Sequence, residues 1–170
     1  MKFVSWIIAA ALAASVIPAH AQNRIGRGLP SGGGQAQGGP LALLYVVSGV
    51  RDNGGAANVG TATTFHCTNA STAAENIQIQ VRDFAGGVVS DHTYPLNSGR
   101  TWTTSTHDTA VFDEDADLSP GGTIIQGLAF IFATTQFMFC SAMLVEAASP
   151  TPSGISLHMV RFSPVAGTSE

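Results

Sequence analysis

Lysine is nearly absent from this chain. Lys2 is the only one, and the remaining positive residues are Arg24, Arg27, Arg51, Arg82, Arg100 and Arg161. They form no basic stripe, which excludes the electrostatic footprint of a nucleic-acid-binding protein and argues equally against anionic lipid as a partner. Charge of either sign is sparse, at 11% of residues, and the formal net charge is −4. A helical hydrophobic period is missing after the first 21 residues. No later apolar run is long enough to span a bilayer. Cysteine is scarce as well: Cys67 and Cys140 stand alone, without the ligand spacing of a zinc site.

What is present starts at the first residue. Lys2, the apolar run from Phe3 to Ile17, Pro18 and the closing Ala19-His20-Ala21 follow the pattern of a bacterial secretory signal peptide. Gln22 is then the expected first mature residue, and loss of Lys2 moves the net charge from −4 to −5. The run is too short for a membrane span, and Cys67 lies too far from the cleavage site to carry a lipid. The expectation is an exported protein, periplasmic or extracellular, with no membrane span in the mature chain. In an oxidising compartment Cys67 and Cys140 read as a disulfide. Closing a loop of that length removes about 4 kcal/mol of unfolded-chain entropy.

Residues 22–40 are rich in Gly, Ser, Gln and Pro without apolar period, and read as a flexible tether. From residue 41 to about 165 the pattern is β. Strand candidates are Leu43–Val47, Thr61–Thr68, Asn76–Val81, Val88–Tyr94, Thr101–His107, Thr123–Ala133, Phe137–Val145 and Gly154–Phe162. In the third, Ile77, Ile79 and Val81 alternate strictly with polar residues, and Ala85-Gly86-Gly87 turns the chain back into the fourth, predicting a hairpin. Two strands near the end are apolar on both faces. Leu128, Phe130 and Phe132 share one face and Ala129 and Ile131 the other, while Met138, Cys140, Ala142 and Leu144 oppose Phe137, Phe139, Met143 and Val145. Such strands need cover on both sides, from another layer or a subunit interface.

Short strands between Gly, Pro and Asn turns predict an all-β, antiparallel β-sandwich, immunoglobulin-like in general architecture and with its topology open. Cys67 and Cys140 would form one inter-sheet disulfide. Two immunoglobulin hallmarks are missing: Trp102 falls too far after Cys67 for the usual core tryptophan, and Met138 stands where a tyrosine corner needs tyrosine.

Four segments carry a resemblance: Gly60-Thr61-Ala62-Thr63-Thr64-Phe65-His66-Cys67-Thr68-Asn69, Val81-Arg82-Asp83-Phe84 with Gly86, Ser105-Thr106-His107-Asp108-Thr109, and Cys140-Ser141-Ala142-Met143. From about Tyr45 to Ala147 the chain is similar to an uncharacterised family of small secreted bacterial β-rich proteins. The resemblance supports the domain limits and the cysteine pair, and implies no activity, substrate or catalytic residue.

The sharpest chemical candidate is the acidic run. Asp113, Asp115 and Asp117 alternate like the start of a calcium-binding EF-hand loop, but Leu118 stands where the glycine belongs and no glutamate follows at the twelfth position. The plainer reading is a solvated acidic loop. His66, His92, His107 and His158 are scattered without ligand spacing, although with Asp91 and Asp108 they hold the residue types of a metal or acid–base site. Ser105, His107 and Asp108 supply the types of a hydrolase triad, yet adjacent strand residues diverge and no nucleophile elbow is present. His158-Met159 with Met138 and Met143 suits copper, and suits packing better. Asn69-Ala70-Ser71 fits a glycosylation sequon and reads as a turn.

With no catalytic constellation in evidence, the expected function is that of an exported, non-enzymatic β-sandwich in binding or surface structure, with a protein partner or self-association. The alternative is a metal-binding (calcium or transition metal) or enzymatic periplasmic protein using the acidic loop and the histidines. A pilus-type subunit completed by a donated strand is a third reading, and residues 22–40 lack the alternating apolar residues of a donor.

Overall fold

The computed structural model describes residues 39–53, 57–151 and 153–162. The expected signal peptide and all of the expected tether except Gly39 and Pro40 lie outside the described residues, as do 54–56, 152 and 163–165 of the expected domain. The described chain is all β. The ten strands are β1 (Ala42–Asp52), β2 (Thr61–Asn69), β3 (Glu75–Arg82), β4 (Val88–Leu96), β5 (Thr101–Ser105), β6 (Ala116–Asp117), β7 (Ile124–Ala133), β8 (Met138–Glu146), β9 (Gly154–Ser156) and β10 (Met159–Arg161). They form two five-stranded sheets, in the order β10-β1-β7-β3-β4 (sheet A) and β6-β5-β2-β8-β9 (sheet B). Every pairing is antiparallel except that of β5 with β6.

Alternation puts the expected residues inside. Ile77, Ile79 and Val81 of β3 and Ala129, Ile131 and Ala133 of β7 are buried on the inner face of sheet A. Phe65, Met138 and Ala142 meet them from sheet B. Burying each large aliphatic side chain contributes about 1.5–3 kcal/mol. The predicted hairpin is present, with Gly86 at φ +85° in its turn, a conformation that favours glycine. Gly127 has a different cause: a Cβ there would lie 2.5 Å from the Arg82 carbonyl oxygen, so β3 and β7 close up only around a bare Cα. Tyr45 ties the layers together by donating its hydroxyl to the Met138 carbonyl at 2.8 Å.

Two expectations change. Cys67 and Cys140 are bonded, but the bridge does not join the sheets. The two residues stand opposite each other in register on β2 and β8 of sheet B, with Cα atoms 4.1 Å apart. Sequence separation alone carries no information about which strands become neighbours. The last expected strand, Gly154–Phe162, is broken at Leu157-His158. β9 pairs with β8 in sheet B and β10 pairs with β1 in sheet A, so the segment crosses one open side of the sandwich as a strap. Leu157 donates its backbone N–H to the Ala142 carbonyl at the crossing.

Candidate functional site

The outer faces of the two sheets differ. On sheet B, residues 106–115 between β5 and β6 fold back as a cover. Val111, Phe112 and Met143 pack on a small buried cluster of Ala62, Val145 and Ala147, apart from the main core. Phe112 meets the His66 ring edge-on at 4.6 Å. The His66 nitrogens lie 3.2 Å from the Thr64 and Thr103 hydroxyls, and burial pushes the imidazole below its usual basicity.

The acidic run anchors this cover. Asp115 accepts from the Thr103 N–H at 2.8 Å, and Asp117 accepts from the Ser119 N–H at 2.7 Å. Glu114 accepts from both the N–H and the hydroxyl of Thr109. Burial pushes the Glu114 carboxyl above its usual range; the bonds from Thr109 oppose this and the Asp108 charge adds to it. Asp113 is exposed. Among the described residues no three His, Cys, Asp or Glu side chains gather as a metal-binding group.

The histidines are dispersed. His107 is buried just after β5, with Nδ1 3.0 Å from Asp52 Oδ2 and Nε2 2.9 Å from the Val59 carbonyl. Its charge partner is therefore Asp52, at the end of β1, and not the adjacent Asp108. Asp52 and the Val59 carbonyl hold the ring from two sides and fix its orientation. His92 stacks on Tyr94 at the β4 edge, and Tyr94 on Trp102. His158 lies at the strap crossing. Asn69 is fully buried, donating to the Ala73 and Leu96 carbonyls and accepting from the Ser71 N–H, which makes the sequon a clamped turn.

Sheet A has no such cover among the described residues. Its register lays out three rows across the outer face. The middle row is Val160, Val46, Phe130, Gln80 and Asp91, one residue from each strand. On one side lie Leu43, Phe132, Gln78 and Thr93; on the other Ser48, Leu128, Arg82 and Val88. The face is thus apolar over β10, β1 and β7, and polar over β3 and β4. Phe130 and Phe132 pack edge to face at 6.3 Å, and the Arg82 guanidinium lies 5.3 Å from the centre of the Phe130 ring. The polar half is ordered by its own bonds: Gln78 and Gln80 each donate to one oxygen of Asp91, and Arg82 donates to Gln80 and to the Gly86 carbonyl.

Compared with protein-family profiles, curated proteins and solved structures, the chain matches none. No helix among the described residues is long and apolar enough to cross a membrane. The disulfide is a bond of the kind that oxidising compartments preserve.

Proposed function

We propose that this is an exported, non-enzymatic β-sandwich protein that works by binding, and that the outer face of sheet A is the binding surface. One observation carries the reading: the central strand β7 turns Leu128, Phe130 and Phe132 to the outer face, where they are half-buried and no other layer among the described residues packs over them. A two-layer sandwich normally turns polar residues outward, and a contiguous apolar patch with a polar border is the mark of an interaction site. Export is supported by the disulfide and by the signal-like start, Lys2 to Ala21.

The metal-binding or enzymatic alternative draws less support. Asp115, Asp117 and Glu114 already accept hydrogen bonds from the chain itself, and His66 and His107 sit in separate places. A dye that fluoresces on apolar protein surface tests the reading. The native protein should bind it, and Phe130→Lys and Phe132→Lys should each remove most of that binding while leaving the circular dichroism unchanged. Failure of the native protein to bind dye would overturn the reading. A melting temperature raised specifically by calcium, zinc or copper would favour the alternative.

A further inference from the structure

We infer that the occupant of this face is a second copy of the same chain, packed sheet on sheet about a two-fold axis that runs across the strands. The inference rests on the reading of the face as a binding surface and goes further by naming what binds. Three features of the face support it.

The first is area. At about 4.8 Å between strands and about 3.3 Å per residue, β1, β7, β3 and β4 with the short β10 make a face of roughly 650 Å². A stable pair needs roughly 800 Å² from each partner, so the face is close to the required size on its own.

The second is the division of the face. A two-fold axis lying across the strands sets each strand over its own counterpart, because the rotation reverses strand direction and keeps strand order. The apolar half on β10, β1 and β7 then meets the same half of the second copy, and the polar halves meet beside it. A two-fold axis parallel to the strands and centred on β7 would set β1 over β3, apolar against polar. An isologous contact needs a surface that complements itself, and the first arrangement provides one across all five strands.

The third is charge. Asp91 lies in the middle row and Arg82 in the next row, one strand closer to the centre. An axis directly over the middle row would set the two Asp91 carboxylates against each other. An axis between the Phe130 and Leu128 rows instead brings each Asp91 to the row of the other copy's Arg82, one strand to the side and within reach of that long side chain. Both groups are already oriented, Asp91 by two glutamines and Arg82 by Gln80 and the Phe130 ring. The dimer would therefore carry two identical cation–anion contacts, one on each side of the axis.

A charge-swap mixing experiment tests this in the oxidised protein. By sedimentation over a range of concentrations, the native chain should be a dimer. R82D sets like negative charges together and D91R like positive ones, so each alone should weaken dimerisation by at least about tenfold. Mixed in equal amounts, the two variants restore an opposite pair at both contacts and should dimerise again. That recovery could not occur if either substitution had merely unfolded the chain. V160K, at an exposed position in the middle row, should also weaken the dimer. A native dimer that both charge variants leave intact would overturn the arrangement. A native monomer that still binds the apolar dye through Phe130 would overturn self-association and leave the face to a different protein. A monomer that binds no dye would overturn both the inference and the function proposed above.

Discussion

Trp102 of β5 stands directly opposite Cys67 of β2, and Cys140 of β8 stands opposite Cys67 on its other side. Tryptophan and disulfide thus form one row across three neighbouring strands on the inner face of sheet B. The juxtaposition of an indole with a disulfide is known from immunoglobulin domains. Here it arises within one sheet, from strand register, with tryptophan and bridge side by side. Trp102 also carries the stack that leads through Tyr94 to His92 at the β4 edge.

The bridge closes a separation of 73 residues. Replacing both cysteines by alanine should lower the unfolding free energy by roughly 4 kcal/mol through the added entropy of the unfolded chain. Urea unfolding followed by Trp102 fluorescence measures this directly. A loss below about 1 kcal/mol would show that the unfolded chain is already restricted by residual structure.

Asp52, at the end of β1, and His107, just after β5, are buried together. Asp52→Asn takes the carboxylate acceptor from His107 Nδ1 in a buried setting and should cost about 1–3 kcal/mol. In the double variant with His107→Gln the cost should be less than the sum of the single costs. Additive losses in urea unfolding would mean that the two side chains act independently.

Glu114, within the cover on sheet B, and His66, beneath it, should give pH dependences of opposite sign. The Glu114 carboxyl is held above its ordinary value of 4.5, so the folded state keeps a proton that the unfolded state releases. The folded chain therefore gains stability as the pH falls through the folded value towards 4.5. His66 is held below its ordinary 6.5, so its contribution is complete above that pH and is lost as the pH falls below it. Glu114→Gln should remove the first effect from a plot of melting temperature against pH, and His66→Gln the second. A plot that neither variant changes would show that the cover opens before the sandwich melts.

The sheet arrangement was partly legible in the sequence. Strict alternation from Ile77 to Val81 and the turn at Gly86 locate the β3–β4 hairpin, because both signals are local. The outer face of β7 was legible for the same reason, as Leu128, Phe130 and Phe132 are too apolar for a strand with only one buried side. The cover on sheet B left a weaker trace, the apolar pair Val111-Phe112 inside a polar loop, which acquires meaning only once Ala62 and Val145 are known to lie beneath it. The Asp52–His107 pair left none, since 55 residues separate the partners and neither has a distinctive neighbour. The acidic run shows the limit of reading by residue type. Carboxylates spaced like calcium ligands are equally suited to accept backbone N–H groups, and Asp115 and Asp117 do so here.

The strap from Gly154 to Arg161 has a consequence for how the protein avoids aggregating. Three of the four sheet edges are β10, β6 and β9, of three, two and three residues. The fourth, β4, carries Pro95 and a bulge, both of which discourage a further strand from adding. Behind the strap lie β1, of eleven residues, and β8, of nine. A chain cut short before Gly154 would expose both as long, open edges bearing Val46, Phe139 and other β-favouring side chains. Those are the features that template fibrils. The last strands of the described chain thus act as its guard against polymerisation, and until they have docked a partly made molecule lacks that protection.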